Sequence, residues 1–158
     1  MKKLVAYFSC SGKTKEIAER IAKLADADLY EIEPVDKYSD EDLDWENENS
    51  RSTLEMKNRD YRPPINKTLD TLSEYNVIYL GFPIWWYTAP TIINTFLESD
   101  DFSDKIIVPF ATSGSSGIGK VIDDLKGSAS PTTKWVEGKR FDSNASDEEI
   151  LEFIKKNS

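Results

Sequence analysis

The sequence predicts an α/β domain in which parallel strands alternate with helices laid on both faces of one sheet. Two observations carry this. Short apolar runs recur between amphipathic segments, and most runs are apolar on successive positions, as strands buried on both faces must be. Strand–helix alternation of this kind implies parallel strands joined by right-handed crossovers.

"KLVAYF" (3–8) reads as the first, buried strand. Ile17, Ile21 and Leu24, flanked by Ala18, Ala22 and Ala25, then recur at helical spacing. "DLYEIEP" (28–34) alternates and reads as a second strand near an edge. The long connection from about Val35 to Tyr75 is acidic, and its "SDEDLDWENENSRSTLEMK" portion predicts a helix with Leu43, Trp45 and Leu54 inward. "NVIYLGFP" (76–83) is the third strand, followed by a helix with Ile92, Ile93, Phe96 and Leu97 on one face. "KIIVPFAT" (105–112) is the fourth, although Pro109 removes one ladder donor. Ile118, Val121, Ile122 and Leu125 make the next helical face, and "TKWVEGKRF" (133–141) is a weak fifth strand. The final helix has a capping box in Ser146 and Glu149, acids at its start, Lys155 and Lys156 at its end, and Ile150, Leu151 and Ile154 on its apolar face.

The 158 residues suit one domain spanning 1–158, and 39% hydrophobic with 31% charged content is ordinary for a soluble globular chain. A formal charge of −9 argues against nucleic-acid and anionic-membrane partners, which would repel it. The chain has no histidine, which removes Ser–His–Asp and Cys–His catalysis and histidine metal sites. Its one cysteine, Cys10, excludes an internal disulfide and fits a reducing compartment. With no membrane-spanning run and no signal-peptide core at "MKKLVAYFS", a cytoplasmic protein is the expectation.

Ligands of open parallel sheets bind at the carboxyl ends of strands, and three loops at such ends have unusual composition. The first, "SCSGKT", supplies Ser9, Cys10, Ser11, Gly12, Lys13 and Thr14. Its hydroxyls, its glycine and the free N–H groups opening the next helix make a phosphate cradle. A Mg-nucleotide P-loop would need glycine where Tyr7 stands. The blander alternative is a helix cap at Ser11 with a glycine-eased turn. Cys10 reads as filler rather than nucleophile. The second loop, "GFPIWWYTAP", sets Trp85, Trp86 and Tyr87 between prolines. Consecutive rings cannot all enter one core, so at least one faces a concave site, where stacking on a flat ligand adds about 0.5–1.5 kcal/mol per ring pair. The third, "TSGSSGIG" (112–119), offers glycines at 114, 117 and 119 for close backbone approach. A phosphate at one end, a flat ring in the middle and backbone donors beyond describe a mononucleotide with a large planar base, which FMN fits.

With "SCSGKT" and "PIWW" joined in order by "VIYLGFP", "FLESDDF" and "TSGSSGIG", the chain resembles the flavodoxin family over about residues 2–157, in particular short flavodoxin-like proteins with S-x-S-G-x-T and P-I-W-W loops. The resemblance implies a three-layer α/β/α fold with a five-stranded parallel sheet of order 2-1-3-4-5 and FMN at the switch point between strands 1 and 3. It implies that Ser9–Thr14 hold the phosphate. Pro83, Ile84, Trp85, Trp86 and Tyr87 would line the ring, with Trp85 or Trp86 stacked on it. Thr112, Ser113, Gly114 and Gly117 would meet the pyrimidine side. One departure stands out. Relatives often have a glycine in the tryptophan loop, where a peptide can flip to meet the flavin, and this chain has Tyr87 there. The expectation is weaker stabilisation of the one-electron-reduced flavin.

These features imply a low-potential one- or two-electron carrier, with no catalytic side chain and no metal, existing as a monomer or weak dimer. The acidic stretches "SDEDLDWENE" and "ESDDFSD" would steer redox partners with basic surfaces, or serve simply as solvated surface. The alternative is an FMN-dependent NAD(P)H:quinone oxidoreductase with the same loops. A receiver domain would need carboxylates where the first and third strands end, and they are missing. A flavin-free interaction module is the remaining reading.

Overall fold

The computed structural model describes residues 2–10, 12–44, 46–66, 71–85, 88–112, 120–142 and 144–157. The chain runs β1 (Lys3–Tyr7), α1 (Lys13–Ala25), β2 (Asp28–Glu31), α2 (Arg51–Lys57), β3 (Val77–Pro83), α3 (Thr91–Glu98), β4 (Ile106–Thr112), α4 (Val121–Leu125), β5 (Lys134–Trp135), β6 (Lys139–Phe141) and α5 (Asp147–Lys156). The sheet is wholly parallel, in the order β2-β1-β3-β4-β5, with β6 also paired to β4.

Strand alternation divides the core in two. Leu4, Ala6, Phe8, Ile78, Leu80, Phe82, Ile107 and Ala111 face α3 and α4, meeting Ile92, Ile93, Phe96, Leu97, Val121 and Leu125. Val5, Tyr7, Val77, Tyr79, Val108 and Phe110 face α1 and α5, meeting Ile17, Ile21, Ile150, Phe153 and Ile154. Each fully buried aliphatic or phenylalanine side chain contributes about 1.5–3 kcal/mol relative to exposure. Successive apolar residues in β1, β3 and β4 are therefore needed, since each strand has no wet face. Arg20 and Asp147 tie α1 to α5 at 2.7 Å, and the Ser146 side chain caps α5 by accepting the Glu149 N–H at 3.2 Å.

The weak fifth strand is two short pieces that share one edge position beside β4. Pro109 explains the break. The Ile106 N–H donates to Asn76 across the β3 side, and Ile107 accepts from Val136 on the other. Backbone direction alternates, so Pro109 turns its missing donor towards that outer edge. There β5 pairs with Ile106 and Ile107 and β6 resumes at Phe110, while the ladder between β3 and β4 runs unbroken. β2 lies at the opposite edge, as its alternation predicts.

The long connection departs from expectation. Its helix is only Arg51–Lys57, capped by Ser50, and Leu54 is 52% exposed. Ser52, Thr53 and Glu55 are the buried positions of this helix, and Leu54 points away from them. Leu43 is half-buried in turns before the helix, and Trp45 lies outside the described residues. Among the described residues, no helix is long and apolar enough to cross a membrane.

Gly81 in β3 faces Phe110 in β4, and a Cβ there would overlap the Phe110 ring. Gly81→Ala should lower stability by about 1–3 kcal/mol, the usual cost of overpacking. In denaturant melts, Gly81→Ala/Phe110→Leu should lose less than the sum of the two single variants.

Candidate functional site

β1 and β3 pair along their length, yet their crossovers leave on opposite faces: α1 packs on one side and α3 on the other. Their carboxyl ends therefore open into a crevice that neither helix covers. All three loops singled out in the sequence start at this edge.

The loop after β1 enters α1 through Gly12, whose φ of 88° lies in the left-handed region and makes it the helix N-cap. A Cβ there would meet nothing within 4 Å, so the constraint on residue 12 is backbone conformation. Gly12 has no side chain to cap the first turn, and its own N–H donates to the Ser9 hydroxyl at 3.2 Å. The helix start thus keeps N–H groups with no intrahelical acceptor, at the positive end of its dipole. Lys13 is exposed beside it, whereas Thr14 is buried with 1% exposure. Ser11 lies outside the described residues.

Thr14 joins this loop to the third. Its hydroxyl shares a 2.6 Å hydrogen bond with that of Thr112, itself buried at the end of β4. The Thr112 carbonyl accepts the Ile84 N–H at 3.1 Å, linking the third loop to the second. Pro83 closes β3 opposite Thr112 in the sheet register. Three segments distant in sequence are thereby fixed to one another within two hydrogen bonds. Ser113, Gly114 and Gly117 lie outside the described residues.

Trp85 is half-buried and meets Phe8 and Tyr38 edge to face, with ring centroids 6.0 and 5.5 Å apart. Its backbone exchanges two hydrogen bonds with Thr88, of 2.8 and 3.1 Å. Thr88 is held in turn, its hydroxyl donating to Asp124 of α4 at 2.5 Å. Trp86 and Tyr87 lie outside the described residues.

Sequence reasoning missed the flank of this site. Tyr38 donates to the buried carboxylate of Glu55 at 2.5 Å, Arg51 binds the other Glu55 oxygen at 2.8 Å, and the Arg51 guanidinium covers the Tyr38 ring at 3.8 Å. The visible signal was the Arg51–Glu55 spacing of four residues; nothing local revealed that it faces inward. Arg59 donates to the Ala89 carbonyl at 3.1 Å, bracing the second loop from the same connection. A pocket of about 220 Å³ opens beside the first loop, lined by Phe8, Ser9, Cys10, Glu31, Glu33, Pro34, Lys37 and Tyr38.

Cys10 sits half-buried against the core. Burial pushes its thiol up to about 12, Arg51 pulls it down and Glu55 adds to the rise. A raised pKa leaves the neutral thiol dominant until strongly alkaline pH. Iodoacetamide at pH 8 should therefore alkylate native Cys10 more slowly than the unfolded chain, by at least about tenfold, with mass spectrometry following the adduct.

Comparison with known proteins agrees with the architecture. A candidate flavoprotein from Bacteroides eggerthii DSM 20697 is 41% identical, with 98% of this chain and 96% of that one covered and a TM-score of 0.92. One from Bacteroides uniformis ATCC 8492 is 46% identical over 98% and 97%, also at 0.92. A Lactobacillus acidophilus NCFM flavoprotein solved in complex with FMN shares the fold at 22% identity and a TM-score of 0.71, covering 96% and 97%. An uncharacterized NAD(P)H oxidoreductase of Escherichia coli K12, YcaK, is 28% identical over 82 residues, which are 51% of this chain and 37% of that protein's length. The flavodoxin family model matches residues 2–157. The chain belongs to the flavodoxin family.

Proposed function

We propose that the protein binds one FMN at the crevice between β1 and β3 and works as a redox carrier. The observation that carries this reading is the Thr14–Thr112–Ile84 linkage, which brings the phosphate-type loop, the aromatic loop and the glycine loop to one edge. The residues fit the group. Gly12 opens the start of α1 without a side chain, where amides meet an anion. Ser9 and Thr14 flank that opening, and Lys13 adds an exposed positive charge. Trp85 offers an aromatic wall that its neighbours hold in place. When bound, FMN supplies the electron chemistry; the chain supplies binding, orientation and electrostatics. Glu31 and Glu33 line the pocket beside the first loop, and their charge would disfavour a more negative cofactor and lower its potential.

One specific observation favours the second reading, a self-sufficient NAD(P)H oxidoreductase: the partial similarity to the Escherichia coli protein of that name. A carrier should oxidise NAD(P)H with a quinone only when a partner reductase is present, whereas an oxidoreductase turns over alone.

Purified protein should be yellow, or become so with added FMN, and release one FMN per chain on denaturation, identified by chromatography. A colourless protein that takes up no FMN would overturn the reading. In a dithionite titration, the Tyr87 position without glycine predicts little accumulation of a one-electron-reduced form. A large blue absorbance at half-reduction would contradict that expectation.

A further inference from the structure

Glu55 is 4% exposed in a chain that carries a formal charge of −9. A buried ion pair is rarely the most stable filling for a site, because apolar side chains of similar size often do as well or better. Such a pair does fix geometry, since each oxygen and each donor accepts only a narrow range of directions. Here both members of the pair also meet one residue, Tyr38. Glu55 Oε1 accepts the Tyr38 hydroxyl at 2.5 Å, and Oε2 accepts Arg51 Nε at 2.8 Å. A second Arg51 nitrogen reaches the Asp36 carbonyl at 2.7 Å, and the guanidinium lies 3.8 Å from the Tyr38 ring centre. Tyr38 is thus held at its hydroxyl and across one face. It meets Phe8 at 5.6 Å and Trp85 at 5.5 Å, both edge to face, while Phe8 and Trp85 meet each other at 6.0 Å.

We infer that Tyr38, Arg51 and Glu55 form a positioning device on the long connection, which sets the orientation of Trp85 and so the shape of the ring-binding wall. Its effect on cofactor affinity rests on the FMN reading above; its effect on Trp85 does not. Arg51 and Glu55 act through Tyr38, and Tyr38 acts through its edge contact, so none of the three needs to touch the cofactor.

The test uses the full chain labelled with 5-fluorotryptophan and observed by 19F NMR without FMN, the Trp85 line being identified by its loss in Trp85→Phe. Glu55→Gln keeps the shape but removes the charge, Arg51→Met removes the guanidinium, and Tyr38→Phe removes only the hydroxyl. The Trp85 line should shift or split in Glu55→Gln and Arg51→Met while the Trp135 line stays in place. FMN affinity, read by quenching of flavin fluorescence, should fall by about tenfold in Glu55→Gln, since a loosened supporting shell misplaces the wall. Folded Glu55→Gln with an unmoved Trp85 line and unchanged affinity would overturn the inference. If Glu55→Gln and Arg51→Met fail to fold, Tyr38→Phe decides, and an unmoved Trp85 line in that variant overturns it. If the wild type binds no FMN, the cofactor reading fails and the Trp85 line alone decides the positioning role.

Discussion

The change of crossover side between the parallel strands β1 and β3 is the constraint on which the rest of the structure depends. The two strands are hydrogen-bonded from Lys3–Val77 to Tyr7–Gly81, so their ends lie level. Because one chain turns into α1 on one face and the other towards α3 on the opposite face, no crossover closes the gap. The loops there cannot bury themselves in either layer. They bond to one another instead: the Ile84 N–H donates to the Thr112 carbonyl, and the Thr14 and Thr112 hydroxyls pair beside it.

Electrostatics at this edge act over two ranges. The formal charge of −9 would repel a phosphate, but beyond roughly 8 Å at physiological salt that repulsion is largely screened. Close in, the α1 amides and the exposed Lys13 decide the local potential. The side-chain-free N-cap matters here, because a capping serine or aspartate would spend the same amides internally. Glu31 and Glu33 line the pocket beside the loop and set two carboxylates next to it.

Much of this was legible in the sequence, and the failures have physical causes. β1, β3 and β4 could be read because strands covered on both faces must be apolar at successive positions. The edge position of β2 could be read from its alternation. The fifth position was blurred because β5 and β6 are short and interrupted, and the reason lies in Pro109 on a neighbouring strand. The helix of the long connection was phased wrongly: Leu54 suggested an inward apolar face, whereas the inward face carries Glu55 with its partners. Phe153, buried in α5, was also missed, since its place is set by edge contacts with Tyr79 and Phe141. For the site, the loops announced themselves by composition. The Tyr38–Arg51–Glu55 cluster did not, because a buried carboxylate looks like any other acid until its partners are brought to it.

The central claim is that the loops after β1, β3 and β4 grip one phosphorylated flat cofactor at that edge. The most direct measurement is an amide 1H–15N titration of the apo chain with FMN. The account predicts that the largest shifts fall on Gly12, Lys13 and Thr14, with further large shifts at Trp85 and Thr112. Saturable binding whose shifts gather elsewhere, for example along α5, with the first turn of α1 unmoved, would contradict it.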